Sequence, residues 1–101
     1  MPGEKILVVD DDRGLLTLMK ARLEGAGYLP TLADGGEMAI SLAQATIFDL
    51  AVLDLKMEGL TGIELMEELL RIQPHLPVII LTAYGTRSEE HTSELQSRFG
   101  I

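Results

Sequence analysis

The 101-residue chain carries 8 Lys plus Arg against 16 Asp plus Glu, a formal charge of −8, and no cysteine. One domain fits this length and two do not; such a core covers only about 60 to 65 per cent of the surface of the unfolded chain. The charge disfavours nucleic-acid phosphate and anionic lipid as partners. The missing cysteines exclude a disulfide framework or thiolate metal site, and residues 1–5 lack the apolar stretch of a signal peptide or membrane span, so a cytoplasmic protein is expected.

Residues 6–10 begin with the continuous apolar run Ile6-Leu7-Val8-Val9, which predicts a buried strand ending in Asp10-Asp11-Asp12. Leu15, Leu16, Met19 and Leu23 then recur at helical spacing until Gly25 and Gly27 stop the helix. Residues 28–33 read as a second strand, and Pro30, lacking an N–H, places it at a sheet edge. Asp34-Gly35-Gly36 is a turn, with Asp34 as a turn or cap residue, leading into a helix through Met38, Ala39, Leu42 and Ala43. Residues 50–54 form a third strand closed by Asp54, and residues 56–60 a loop. Thr61 and Glu64 have the spacing of a capping box for a helix through Leu65, Met66, Leu69 and Leu70. Pro74 and Pro77 bracket the next turn, with His75 as a solvated residue between them. Residues 78–83 form the fourth strand, with Thr82 near its end.

Strands that read as unbroken apolar runs between amphipathic helices predict an α/β fold, a parallel sheet covered on both faces. In such folds the ligand site lies beyond the carboxyl ends of the strands. Asp10, Asp11, Asp54 and Thr82 fall on that rim. Carboxylates gathered there repel one another unless a hard cation sits among them, and oxygen-only ligands favour magnesium or calcium. A magnesium site containing a reactive aspartate is therefore expected. Helix caps alone account for Asp12, which precedes the first helix, but not for Asp54 or Thr82.

Val8-Val9-Asp10-Asp11-Asp12, Leu53-Asp54-Leu55-Lys56-Met57 with Gly62 eight positions after Asp54, and Leu81-Thr82-Ala83 together resemble the receiver domains of two-component response regulators, over about residues 4 to 86. The resemblance implies a flavodoxin-like, doubly wound sheet of order 2-1-3-4, the family's 2-1-3-4-5 without its final strand. It implies Asp54 as phosphoacceptor and Thr82 as the switch hydroxyl. Asp11, Asp54 and the backbone carbonyl of Lys56 would bind Mg2+, with Asp10 acting through water or hydrogen bonding. The phosphoryl donor would be a sensor histidine kinase, a phosphotransfer protein or a small acyl phosphate, and the signal would pass to an output module. Receivers are signalling domains and not turnover enzymes. Many carry proline where this chain has Glu58, which implies a looser loop.

Residues 87–101 depart from the family. The stretch from Arg87 to Ser97 looks like a reading-frame translation of a sequencing adapter, so the expected organisation is a truncated receiver over residues 1–86 and a non-native, possibly helical tail. The final strand and helix of the family, the lysine that ends that strand and the output domain would then lie beyond the break. Removing the final helix would forfeit about 10 kcal/mol of apolar burial, leaving a marginal fold. A phosphorylation-incompetent pseudo-receiver or binding module is the alternative function. A magnesium-dependent phosphatase is disfavoured, because Lys56 stands where the second carboxylate of its acid/base pair is needed.

Overall fold

A computed structural model describes residues 3–55, 57 and 59–81. Lys56, Glu58, Thr82, Ala83 and the proposed tail at 87–101 lie outside the described residues, as does any helix within that tail. The described elements run β1 (Lys5–Val9), α1 (Arg13–Gly25), β2 (Leu29–Ala33), α2 (Gly36–Ala45), β3 (Leu50–Asp54), α3 (Gly62–Ile72) and β4 (Val78–Leu81). The four strands form one parallel sheet in the order β2-β1-β3-β4. This is the expected flavodoxin-like arrangement, and Pro30 lies on the terminal strand β2, where its missing N–H is tolerated.

Register follows from the apolar pattern. Leu7 and Val9 pair with Ala51 and Leu53, and Leu53 pairs with Ile80; all are buried on the face that carries α2 and α3. On the opposite face Ile6, Val8 and Val52 pack with Leu16, Met19 and Leu23 of α1. Both faces of β1 and β3 are therefore dry, which is why these strands show no polar alternation. Among the described residues, α1 is the one helix on its face, and it covers the β2–β1 half. On the β4 side of that face Leu81 remains 37% exposed.

The helix ends obey local chemistry. Asp12 caps α1, accepting from Gly14 N–H at 3.0 Å and Leu15 N–H at 3.2 Å. The helix closes in a Schellman pattern: Tyr28 N–H donates to Leu23 C=O, and Gly27, with φ +95°, donates to Glu24 C=O. Thr61 and Glu64 form the reciprocal capping box of α3, at 3.2 and 3.0 Å. At the far end of the sheet the Gln73 side chain donates to the carbonyls of Ala43 and Thr46 and accepts from Phe48 N–H, tying α3 to the α2–β3 connection. His75 is exposed, as expected.

Candidate functional site

All four strands point their carboxyl ends at one rim, so whatever follows Val9, Ala33, Asp54 and Leu81 converges there. Asp10 continues β1 by one residue, its N–H donating to Ala33 C=O at 3.1 Å. Its carboxylate is held inward, accepting from Asp12 N–H at 2.9 Å, and is only 6% exposed. Asp11, next in the chain, turns to the exposed side, and half-buried Asp54 arrives from the adjacent strand. One carboxylate oxygen from each of Asp10, Asp11 and Asp54 lies within 4.8 Å of the others.

Three carboxylates this close form a strongly negative centre. Burial pushes the Asp10 carboxyl above its ordinary value of 3.8, and the charges of Asp11 and Asp12 push the same way. Hydrogen bonds from Asp12 N–H and with the Asp54 side chain partly offset this rise. The donor set suits a hard divalent cation. Asp11 and Asp54 would hold such an ion directly and Asp10 would support it, their oxygens lying within 4.8 Å of one another, and the ion would supply charge neutralisation among the carboxylates. Asp12, by contrast, spends its carboxylate on the cap of α1.

The chain around Asp54 is held at several points. Leu55 N–H donates to Leu81 C=O at 2.8 Å, and Gly62 N–H returns to Leu55 C=O at 3.0 Å. A Cβ on Gly62 would sit 2.6 Å from the Asp54 carbonyl oxygen and 2.8 Å from Leu55 Cα, so only glycine allows α3 to begin this close to the strand end. Between them Gly59 turns the loop at φ +84°, and Met57 is buried in the core.

Asp34 lies in the bend before α2, as expected of a turn residue, but it does not cap the helix: Gly35 is the N-cap, and no side chain caps it. Asp34 instead accepts from the Arg13 guanidinium at 2.7 Å, joining the start of α1 to the β2–α2 turn beside the acidic centre. Two loops brought together by the sheet make this pair, and no spacing in the sequence announces it. The structure thus brings Asp10, Asp11 and Asp54 together as expected, while Lys56 and Thr82 lie outside the described residues.

A parallel sheet of this order with an aspartate triad at its carboxyl rim defines a doubly wound α/β domain whose acidic rim could hold a hard cation. The response regulator receiver domain model matches residues 6–96, and the chain belongs to that family. Transcriptional regulatory protein GlrR of Escherichia coli is 41% identical over 96 residues, 95% of this chain and 22% of the relative. Sporulation initiation phosphotransferase F of Bacillus subtilis is 38% identical over 85 residues, 84% of this chain and 68% of the relative. The chain therefore spans about a fifth of the length of the transcriptional regulators it matches, and about two thirds of the sporulation phosphotransferase. The crystal structure of the response regulator TrrA of Thermotoga maritima with Mg2+ and BeF superposes with a TM-score of 0.79 at 33% identity, covering 96% of this chain and 81% of that one. TrrA in complex with the histidine kinase ThkA gives 0.76 at 33% identity, covering 90% and 78%. Receiver domains are signalling domains that bind Mg2+ at an acidic pocket and interact with histidine kinases. No described helix is long and apolar enough to cross a membrane.

Proposed function

We propose that Asp54 is the phosphoacceptor of this receiver and that its phosphorylation switches an output module. The observation that carries this reading is the triad itself: two adjacent strands deliver Asp10, Asp11 and Asp54 to within 4.8 Å of one another, with Asp10 buried. Asp11 and Asp54 would hold the magnesium ion, with the carbonyl of Lys56 as a third ligand and Asp10 acting through water and its hydrogen bonds. When bound, the ion neutralises the equatorial oxygens of the phosphoryl group and fixes its in-line geometry. The Asp54 carboxylate oxygen attacks phosphorus; the bond from phosphorus to a kinase histidine nitrogen, or to the oxygen of an acyl phosphate, breaks. Thr82, which follows in sequence the Leu81 that pairs with Asp54, would hydrogen-bond the new aspartyl phosphate.

Asp10 is oriented by Asp12 N–H, and its proton affinity rises because it is buried beside like charge. The partner proposed for this chain is a sensor histidine kinase or phosphotransfer protein in the cytoplasm, by analogy with TrrA and ThkA. The chain acts as a phosphorylated signalling module without turnover of other substrates. The receiver is proposed to occupy residues 1–86, with residues 87–101 foreign to it on the strength of their adapter-like sequence; the family match runs on to residue 96, across that boundary.

Titration with Mg2+ and then with beryllofluoride, an acyl-phosphate mimic, tests the site directly. Amide resonances of Asp10, Asp11, Asp54 and Leu55 are expected to shift with Mg2+, and those of Asp54 and Leu55 to shift again with beryllofluoride. An Asp54→Asn variant that still shows the second step would contradict the assignment.

A further inference from the structure

We infer that Leu60, seated against Gly36, is a positioning residue that braces the phosphoacceptor strand end against the start of α2. This rests on the reading of Asp54 given above and extends it to residues outside the acidic triad.

The contact is unusually close. A Cβ on Gly36 would lie 2.8 Å from Leu60 Cδ1 and 3.1 Å from Leu60 Cβ, so the Leu60 side chain fills the space that any other residue at position 36 would claim. Gly36 is buried, and Leu60 packs against the main core. Two residues further on, Gly62 is in the same relation to the Asp54 carbonyl, 2.6 Å from its own missing Cβ. Residues 59–62 therefore form a strut with one end on α2 and the other on the backbone of Asp54. Gly59 turns the chain before Leu60 at φ +84°, and the capping box at Thr61 and Glu64 fixes the start of the helix that follows.

The opposite side of α2's start is also tied down. Asp34, two residues before Gly36, is held by Arg13 at the head of α1. A path thus leads from α1 through Asp34, Gly36, Leu60 and Gly62 to Asp54. A displacement of the α2 terminus is passed toward the Asp54 backbone because Leu60 occupies the space beside Gly36 and Gly62 N–H is bonded to Leu55 C=O, leaving little room for either end to give. Hydrophobic packing in general does not explain why glycine stands at position 36, since α2 is already anchored by buried Ala39 and Ala43.

The test uses the full 101-residue chain in four forms: wild type, Gly36→Ala, Leu60→Ala, and both together. Amide resonances, the Mg2+ dissociation constant and the urea midpoint are read for each. Gly36→Ala is expected to move the amides of Leu55 and Gly62, leave those of Phe48 and Gln73 in place, and weaken Mg2+ about tenfold, the low end of what loss of an outer support costs a metal site. In the Leu60→Ala background, where Cδ1 is gone, adding Gly36→Ala should do little more. Leu60→Ala alone, which removes the seat without any clash, should also weaken Mg2+. Equal effects of Gly36→Ala in both backgrounds, or a fall in midpoint with Mg2+ affinity and the Leu55 and Gly62 amides unchanged, would overturn the brace. A wild type that binds no Mg2+ contradicts the cation reading instead, and the brace is then decided by the amide shifts in the four forms.

Discussion

Asp10→Asn should stabilise the metal-free fold at neutral pH. Asp10 is the one buried charged residue among those described, and its carboxylate faces Asp11 and Asp54 within 4.8 Å. Two unit charges at that separation repel by about 1 kcal/mol in water and about 3 kcal/mol at an effective dielectric constant of about 20. An asparagine oxygen can still accept from Asp12 N–H, so the 2.9 Å hydrogen bond survives and the repulsion goes. The expected gain is about 1 to 3 kcal/mol at pH 7 in the presence of a chelator. Its pH dependence has a fixed sign. The Asp10 carboxyl is raised above 3.8 in the fold, so the native state binds more protons than the unfolded chain between 3.8 and that higher value. The stability that Asp10 contributes is whole below 3.8 and is lost as pH rises through the folded value. The advantage of the variant is therefore absent at low pH, grows across that window and levels off above it. Urea titrations followed by far-ultraviolet circular dichroism would show a raised midpoint with unchanged slope. Added Mg2+ should narrow the gap, because it stabilises the wild type by mass action and the variant less. A variant less stable than wild type at pH 7 without metal, or a difference that ignores pH, would refute this account of the acidic centre.

Three other substitutions separate site from scaffold. Gly62→Ala places a Cβ against the backbone of Asp54 and Leu55, and is expected to cost about 1 to 3 kcal/mol by overpacking while shifting the Asp54 amide resonance. Gln73→Ala strips partners from two carbonyls and one N–H at the far end of the sheet, so it should lower the urea midpoint by about 1 to 3 kcal/mol and leave Mg2+ affinity as it was. Asp12→Ala removes the cap of α1, which should cost about 1 kcal/mol, and a loss of Mg2+ affinity comparable to that of Asp11→Ala would show that Asp12 is a ligand and not a cap.

The strands were legible because they are buried on both faces. Continuous runs such as Leu50 to Leu53 leave no polar alternation to misread, and Pro30 marked its strand as terminal. The site was legible for the same reason: parallel strands of known order put their ends on one rim, so Asp10, Asp11 and Asp54 had to meet. The expected first strand ran to Asp10, and its N–H does bond to Ala33, although the regular ladder stops at Val9. What escaped are contacts made only by tertiary approach. Arg13 meets Asp34 across 21 positions, and Gln73 reaches back to Ala43 and Thr46; neither pair has a local signature. Glycine at position 36 reads in the sequence as part of a turn, whereas in the fold it is the seat of Leu60.

Incubation of the chain with acetyl phosphate, with and without Mg2+, followed by intact-mass measurement and mapping of the modified residue, tests the central claim most directly. The account predicts one acid-stable, base-labile phosphoryl group on Asp54, formed only when Mg2+ is present and absent from Asp54→Asn. A chain that binds Mg2+ at the triad yet takes up no phosphoryl group, or takes it up on another residue, would contradict the phosphoacceptor function.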